Sequence, residues 1–236
     1  MKETIGWLIR QFNITFIEKN RYMLFVEGFG NTIIIAFGAA VIGILIGSAV
    51  AMMRVYYAQT GRLKFLDSLC GLYLAIFRGT PIVVQLLIMY YIILQNMRNA
   101  LLVAVISFGI NSGAYVAEIV RAGILSVDIG QTEAGRSLGL PAFRTLILIV
   151  LPQAVKNILP ALGNEFITLL KETSVASFIT VRDLARAGAN VRAATMEPYF
   201  SLLFVALVYF ILVFCFTKLL KILERRLAKS DRSNRS

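Results

Sequence analysis

The sequence predicts an all-α membrane protein, a bundle of about five transmembrane helices forming one domain over residues 1–236. Three observations predict it. Hydrophobic residues make up 58% of the chain and charged ones only 16%, against about 45–50% and about 25% in soluble domains. Apolar stretches of about 20 residues, enough to cross the hydrocarbon core, recur along the chain. Most of the remaining charge lies between those stretches and at the two ends, where a chain leaves lipid for water.

The residues that carry no such pattern exclude other classes. A net charge of +11 would suggest nucleic acid for a soluble domain. In this composition Lys and Arg at cytoplasmic span ends, facing anionic head groups, account for it, and no nucleic-acid partner is expected. Histidine is absent, which removes Ser-His-Asp and Cys-His catalysis and histidine metal ligation. Cys70 and Cys215 sit in separate apolar stretches with no metal spacing and no basis for a disulfide. The chain is expected not to be an enzyme and to hold no cofactor of its own.

Residues 1–27 scatter charge through apolar positions. They lack the uninterrupted apolar core of a signal peptide and suit an amphipathic segment at the surface. The first span, 28–53, is uncharged, and its small residues, among them Gly43, Gly47 and Ala51, suit close helix contact. The second, 63–94, has Arg78-Gly79-Thr80-Pro81 in its middle, and the third, 99–124, holds Asn111, Ser112, Glu118 and Arg121. The fourth, 145–170, is interrupted by Pro152, Lys156, Pro160 and Glu165. A polar loop with a short surface helix is expected over 171–197. The fifth span, 198–217, is clean and aromatic, and a basic tail, 218–236, follows it. Five spans put the termini on opposite sides. The tail, with Arg54, Arg62 and Lys64 of the first short loop, puts the C-terminus in the cytoplasm and the N-terminus outside.

Residues 128–152 then form a cytoplasmic loop with its own design. Asp128 to Leu138 allow a short helix. Gly139 suits its C-terminus, where a left-handed residue costs glycine little. Leu140 can fold back on the last turn, and Pro141 fits the first turn of a second helix that runs to Pro152. The result is a rigid elbow. Its small residues, Ala134 and Gly135, suit a groove on another protein; the other reading is an interfacial connector between spans.

Resemblance adds to this. Glu133-Ala134-Gly135, then Gly139, Ile149 and Leu151-Pro152 at their spacing, resemble the EAA loop of ABC importer permeases, with Gly135 where alanine is commoner. FRGTP (residues 77–81), YVAEIVR (115–121) and GNEF (163–166) followed by KETS (171–174) resemble the polar amino acid branch of that family. The resemblance covers the chain from about residue 28 to the fifth span. It implies that Glu133, Ala134, Gly135, Gly139, Leu140 and Pro141 form a short coupling helix and bend seated in a cytoplasmic ATPase subunit. It implies a multi-pass protein of the bacterial plasma membrane working by alternating access. The implied partners are that ATPase, a second permease subunit (a copy or a close paralogue) and an extracytoplasmic solute-binding protein. ATP and Mg are expected on the ATPase, since this chain has no GxxxxGK[ST] phosphate loop.

For the solute, the residues themselves name candidates. Arg78 lies in an apolar run beside helix-breaking Gly79 and Pro81. An intramembrane guanidinium either lines a cavity, where it would grip an amino-acid carboxylate with Thr80 adding a hydroxyl, or pairs internally with Glu118 or Glu165. Asn164 and Glu165 either meet a solute's amino group or bond helix to helix. Glu118 and Arg121, three apart, suit a pair on one helix face. A rival function, an ion-coupled secondary transporter or channel without an ATPase, would use Glu118 and Glu165 as ion sites.

Overall fold

The computed structural model describes residues 2–233, with side-chain surroundings for residues 4–227. The end of the basic tail, Arg235 included, lies outside the described residues. The described chain is helical with no strand. Its elements are α1 (Lys2–Phe12), α2 (Tyr22–Thr60), α3 (Lys64–Gly79), α4 (Ile82–Ile88), α5 (Ala100–Leu125), α6 (Ile129–Ser137), α7 (Ala142–Thr145), α8 (Leu151–Glu172), α9 (Leu184–Thr195) and α10 (Pro198–Ser233). Four helical runs are long and apolar enough to cross a membrane: 22–60, 100–125, 142–179 and 198–227. A fifth candidate is bent: α3 and the run from Ile82 to Ile93 are apolar enough only as a pair, and they meet at 111°.

The centre is α5, which buries most of its length. Against it lies the small-residue face of α2, where Ala36, Ala39, Gly43, Gly47 and Ala51 are all buried. A Cβ at Gly47 would stand 2.6 Å from Val116 Cβ and 2.7 Å from Gly113 O. The two backbones therefore approach as closely as they do only because that position is glycine. The small residues of the first span thus form a packing seam.

The fourth span departs from the expected interruption at Pro152. The helical path runs on from α7 through a π-helical turn, Leu146–Val150, into α8. The Leu151 N–H bonds Leu146 O, five residues back. This wider turn brings Pro152 into the first turn of α8, where its missing donor and fixed φ are tolerated. Pro160 is accommodated inside α8.

At the end of the bundle far from α6, α9 is no loose surface helix. Leu184, Ala187, Gly188 and Val191 are buried against Phe25 and the aromatic side of α10. The Asp183 carboxylate caps α9 by accepting from the N–H groups of Ala185 and Arg186, both at 3.1 Å. Asp183 is fully buried, and that desolvation raises its pKa to about 6.

Candidate coupling elbow and polar span centre

The elbow follows from local backbone chemistry. Asp128 caps α6, its carboxylate accepting from Gly130 N–H at 2.7 Å. At the other end Gly139 takes φ +81°. Its N–H bonds Arg136 O at 3.0 Å, and Leu140 N–H reaches back to Gly135 O at 3.2 Å. These two bonds are the paired closure of a helix ended by a left-handed glycine. Pro141, with φ −60° and ψ 150°, is the residue just before α7 rather than its first, and its carbonyl receives the first helical bond, from Thr145 N–H at 3.0 Å.

The elbow presents less of its small face than expected. Glu133 and Ala134 are exposed, but Gly135 is buried. A Cβ there would lie 2.6 Å from Thr145 Cγ2 and 2.8 Å from Ile149 Cδ1. Gly135 therefore lets α6 close onto the following helix, and the outward surface consists of Glu133, Ala134 and Leu138, the last 82% exposed.

The break in the second span is held from a distance. Pro81 has no N–H to give Phe77 O, and the last turn of α3 has unfilled carbonyls. Thr80 Oγ1 donates to Ile76 O at 2.8 Å. Gln85 Nε2, buried on α4, donates toward Phe77 O (2.9 Å), Thr80 O (3.0 Å) and Thr80 Oγ1 (2.8 Å). Asn111 Nδ2 of α5 reaches Gln85 Oε1 at 2.8 Å and Phe77 O at 3.2 Å. The Thr80 hydroxyl is thus engaged in closing the break.

Arg78, at that break, has an internal partner: its Nη1 lies 3.9 Å from Glu118 Oε1, and its guanidinium lies 5.8 Å from the Tyr115 ring centroid. Glu118 also receives Arg121 Nη2 at 2.8 Å and lies 3.8 Å from Arg54 Nη1, while Arg54 Nε reaches Asp67 Oδ1 at 3.3 Å. Three guanidinium groups thus converge on Glu118, with Asp67 behind, which leaves the cluster one positive charge in excess. The Arg78 side chain remains 45% exposed, so it retains accessible N–H donors.

Glu165 lies elsewhere. It accepts from Ser112 Oγ at 2.8 Å and lines a 340 Å³ pocket with Phe37, Val41, Val116, Gly163 and Phe166. Arg78 is not in that wall. Helical spacing puts Ser112 and Val116 on one face of α5 and Tyr115 and Glu118 on the next. Asn164 is exposed and donates to Pro160 O at 3.2 Å. The structure therefore joins Arg78 to Glu118 and Glu165 to Ser112, and does not bring the four solute candidates into one pocket.

The fold of this bundle is shared by known proteins. Residues 43–229 match the family model described as binding-protein-dependent transport system inner membrane component. The chain is 37% identical over 210 residues to the putative glutamine transport system permease protein GlnP of Rickettsia typhi, covering 88% of this chain and 94% of that one. It is 35% identical over 209 residues to the arginine transport system permease protein ArtQ of Bacillus subtilis, covering 87% and 93%. It superposes on a chain of a crystal structure of an amino acid ABC transporter with histidines, with a TM-score of 0.81 and 40% identity, over 89% of this chain and 98% of that one. A methionine ABC transporter chain, MetNI in inward-facing conformations, shares the fold at a TM-score of 0.75 and 20% identity.

The chain belongs to this family. It is the permease subunit of an ABC importer, a multi-pass inner-membrane protein, and the reading as an autonomous ion-coupled transporter or channel is set aside.

In this permease, sequence reasoning missed Gln85, the bond from Ser112 to Glu165 and the approach of Arg54 to Glu118, while Arg78 takes the first of the two internal partners it offered. The signal available was chemical. Gln85 is the polar residue in an otherwise apolar run, four positions after a proline that withholds a donor, and a buried amide there needs partners. The approach of Arg54 to Glu118 had no comparable signal, because it depends on how α2 and α5 are rotated about their axes.

Proposed function

We propose that this permease carries a polar amino acid inward by alternating access, driven by a separate ATPase that grips the elbow. In this arrangement α6 and the basic tail face the cytoplasm and the N-terminus lies outside, in keeping with the excess of Lys and Arg toward the tail. The ATPase binds ATP and Mg; a second permease, copy or paralogue, completes the membrane part; an extracytoplasmic binding protein delivers solute. The glutamine and arginine transport names of the relatives support the solute class.

The observation that carries this reading is the uncovered outer side of a rigid elbow. Glu133, Ala134 and Leu138 are presented to solvent by a bend whose own bonds are complete. Such a knob needs a socket, and this chain has no phosphate loop of its own. Along the path, Arg78 offers accessible guanidinium donors to a carboxylate at a break in a span, and Asn164 and Glu165, away from it, offer acceptors to an amino group at a separate point. Thr80 supports the break rather than the solute.

The test is reconstitution of the permease with its ATPase and binding protein in liposomes, assayed across amino acids. Solute-stimulated ATP hydrolysis with uptake is expected, and Arg78→Ala is expected to weaken uptake with the complex intact. Uptake by the permease alone on an ion gradient would overturn the proposal. Single cysteines at Ser137 and Arg192, in a background without Cys70 and Cys215, check orientation: an impermeant maleimide added outside should label only position 192.

A further inference from the structure

A second cavity lies behind the elbow and belongs to neither the solute path nor the docking surface. It encloses about 760 Å³ between the ends of α2 and α5, the inner stripe of α6 and the start of the fourth span. Its walls are of two kinds. Val55, Ala58, Ile124, Ile129, Leu146 and Val150 make an apolar lining; Arg54, Arg121 and Arg136 bring three guanidinium groups to the same space. The carboxylate in the wall, Asp128, is engaged with the Gly130 N–H.

The arginines are incompletely served. Arg121 Nη2 is taken by Glu118 at 2.8 Å, yet its Nε is buried without a hydrogen-bond partner. Such a donor is costly to leave unmade. Arg54 is shared between Asp67 and Glu118, a cluster already one positive charge in excess. Arg136 donates to Leu140 O at 3.1 Å and is otherwise exposed. A fitting ligand carries an anion with several acceptor oxygens joined to a long apolar body. Inorganic phosphate or an amino acid would leave the apolar wall bare. Position decides further: the pocket opens where the spans end and the elbow begins, the level of lipid head groups.

We propose that this cavity is a binding site for an anionic phospholipid of the elbow-side leaflet, its phosphodiester held by Arg54, Arg121 and Arg136 and an acyl chain laid against Val55, Ile124 and Val150. The helix α6 then serves two ligands on two faces. Ile129, Thr132 and Arg136, spaced as one helical stripe, face the lipid; Glu133, Ala134 and Leu138 face outward. The lipid ties the elbow to the ends of α2 and α5, and so makes the stiffness of the coupling element sensitive to membrane composition.

The test is native mass spectrometry of the purified full-length permease exchanged into mixtures of phosphatidylglycerol and phosphatidylcholine. Retention of phosphatidylglycerol over phosphatidylcholine is expected. Arg136→Gln, which touches no ion pair of the span cluster, should weaken that retention about fivefold, the factor for one basic group near an anionic head group. Ala58→Trp keeps every charge and fills the cavity, and should abolish selective retention while circular dichroism stays unchanged. Equal retention of the two lipids by the wild-type protein would overturn the proposal. So would undiminished phosphatidylglycerol retention in both variants. Displacement of the lipid by millimolar inorganic phosphate would identify a free-phosphate site and overturn the lipid assignment.

Discussion

Two bends interrupt the helices of this permease, and they are built on opposite plans. The elbow between α6 and α7 closes itself. Asp128, Gly139 and Leu140 satisfy its ends within a dozen residues, and all the hydrogen bonds involved are local. The break between α3 and α4 is closed by an amide on the next helix turn and by Asn111 of α5, 34 residues from the Phe77 carbonyl it serves. The difference follows from the solvent. At the membrane surface water can complete a loose turn, so the elbow's bonds set its shape more than its viability. The break interrupts an apolar run, where lipid offers no donor, and the Phe77 and Thr80 carbonyls are met by protein amides instead.

The comparison can be broken first at the elbow's outer face. Glu133→Lys reverses a charge that has no structural partner among the described hydrogen bonds and ion pairs. Folding should be unaffected while ATP-driven uptake falls about tenfold or more, equivalent to about 1.4 kcal/mol or more of docking energy. Uptake in proteoliposomes beside a normal melting curve reads both, and normal uptake would remove the elbow from the mechanism.

At the span break the effect should appear in stability. Gln85→Leu leaves Thr80 O and the Asn111 amide without their partner and should cost about 2 kcal/mol, measured by thermal or denaturant unfolding in detergent. An unchanged melt would mean that the break tolerates unpaired groups and that the two bends do not differ in kind. Gly139→Ala forces a Cβ into the left-handed region at the elbow and should cost about 1 kcal/mol. Gly139→Asn should recover most of it, because asparagine tolerates that conformation; equal losses for Ala and Asn would point to lost space rather than backbone strain. Smallest of all, Thr80→Val removes a hydroxyl that donates to Ile76 O and accepts from Gln85 Nε2, an amide that keeps its two other acceptors. The expected loss is about 0.6 kcal/mol, typical of a single side-chain hydrogen bond within a membrane bundle, read in the same unfolding experiment.

The elbow was legible almost residue by residue. A capping aspartate, a glycine at the helix end and a proline beyond it act through bonds spanning no more than six residues, and such signals survive in the sequence. Even there Gly135 was read as facing outward when it is the contact that lets α6 fold down on Thr145 and Ile149. Glycine announces a close approach without saying to what. The fourth span was read as interrupted because proline withholds a donor, and the chain answers with a π-helical turn that apolar composition does not announce.

By itself, the sequence determined that the chain crosses a membrane about five times, where its second span breaks and how its elbow bends, because apolar length, proline chemistry and the left-handed glycine are local properties. Tertiary structure alone decided that Arg78 pairs with Glu118, that Glu165 bonds Ser112 on a different face of α5, that Gln85 closes the break, and that three arginines border one cavity behind the elbow. These outcomes turn on the rotation and separation of helices far apart in sequence, which are set by how their surfaces pack together.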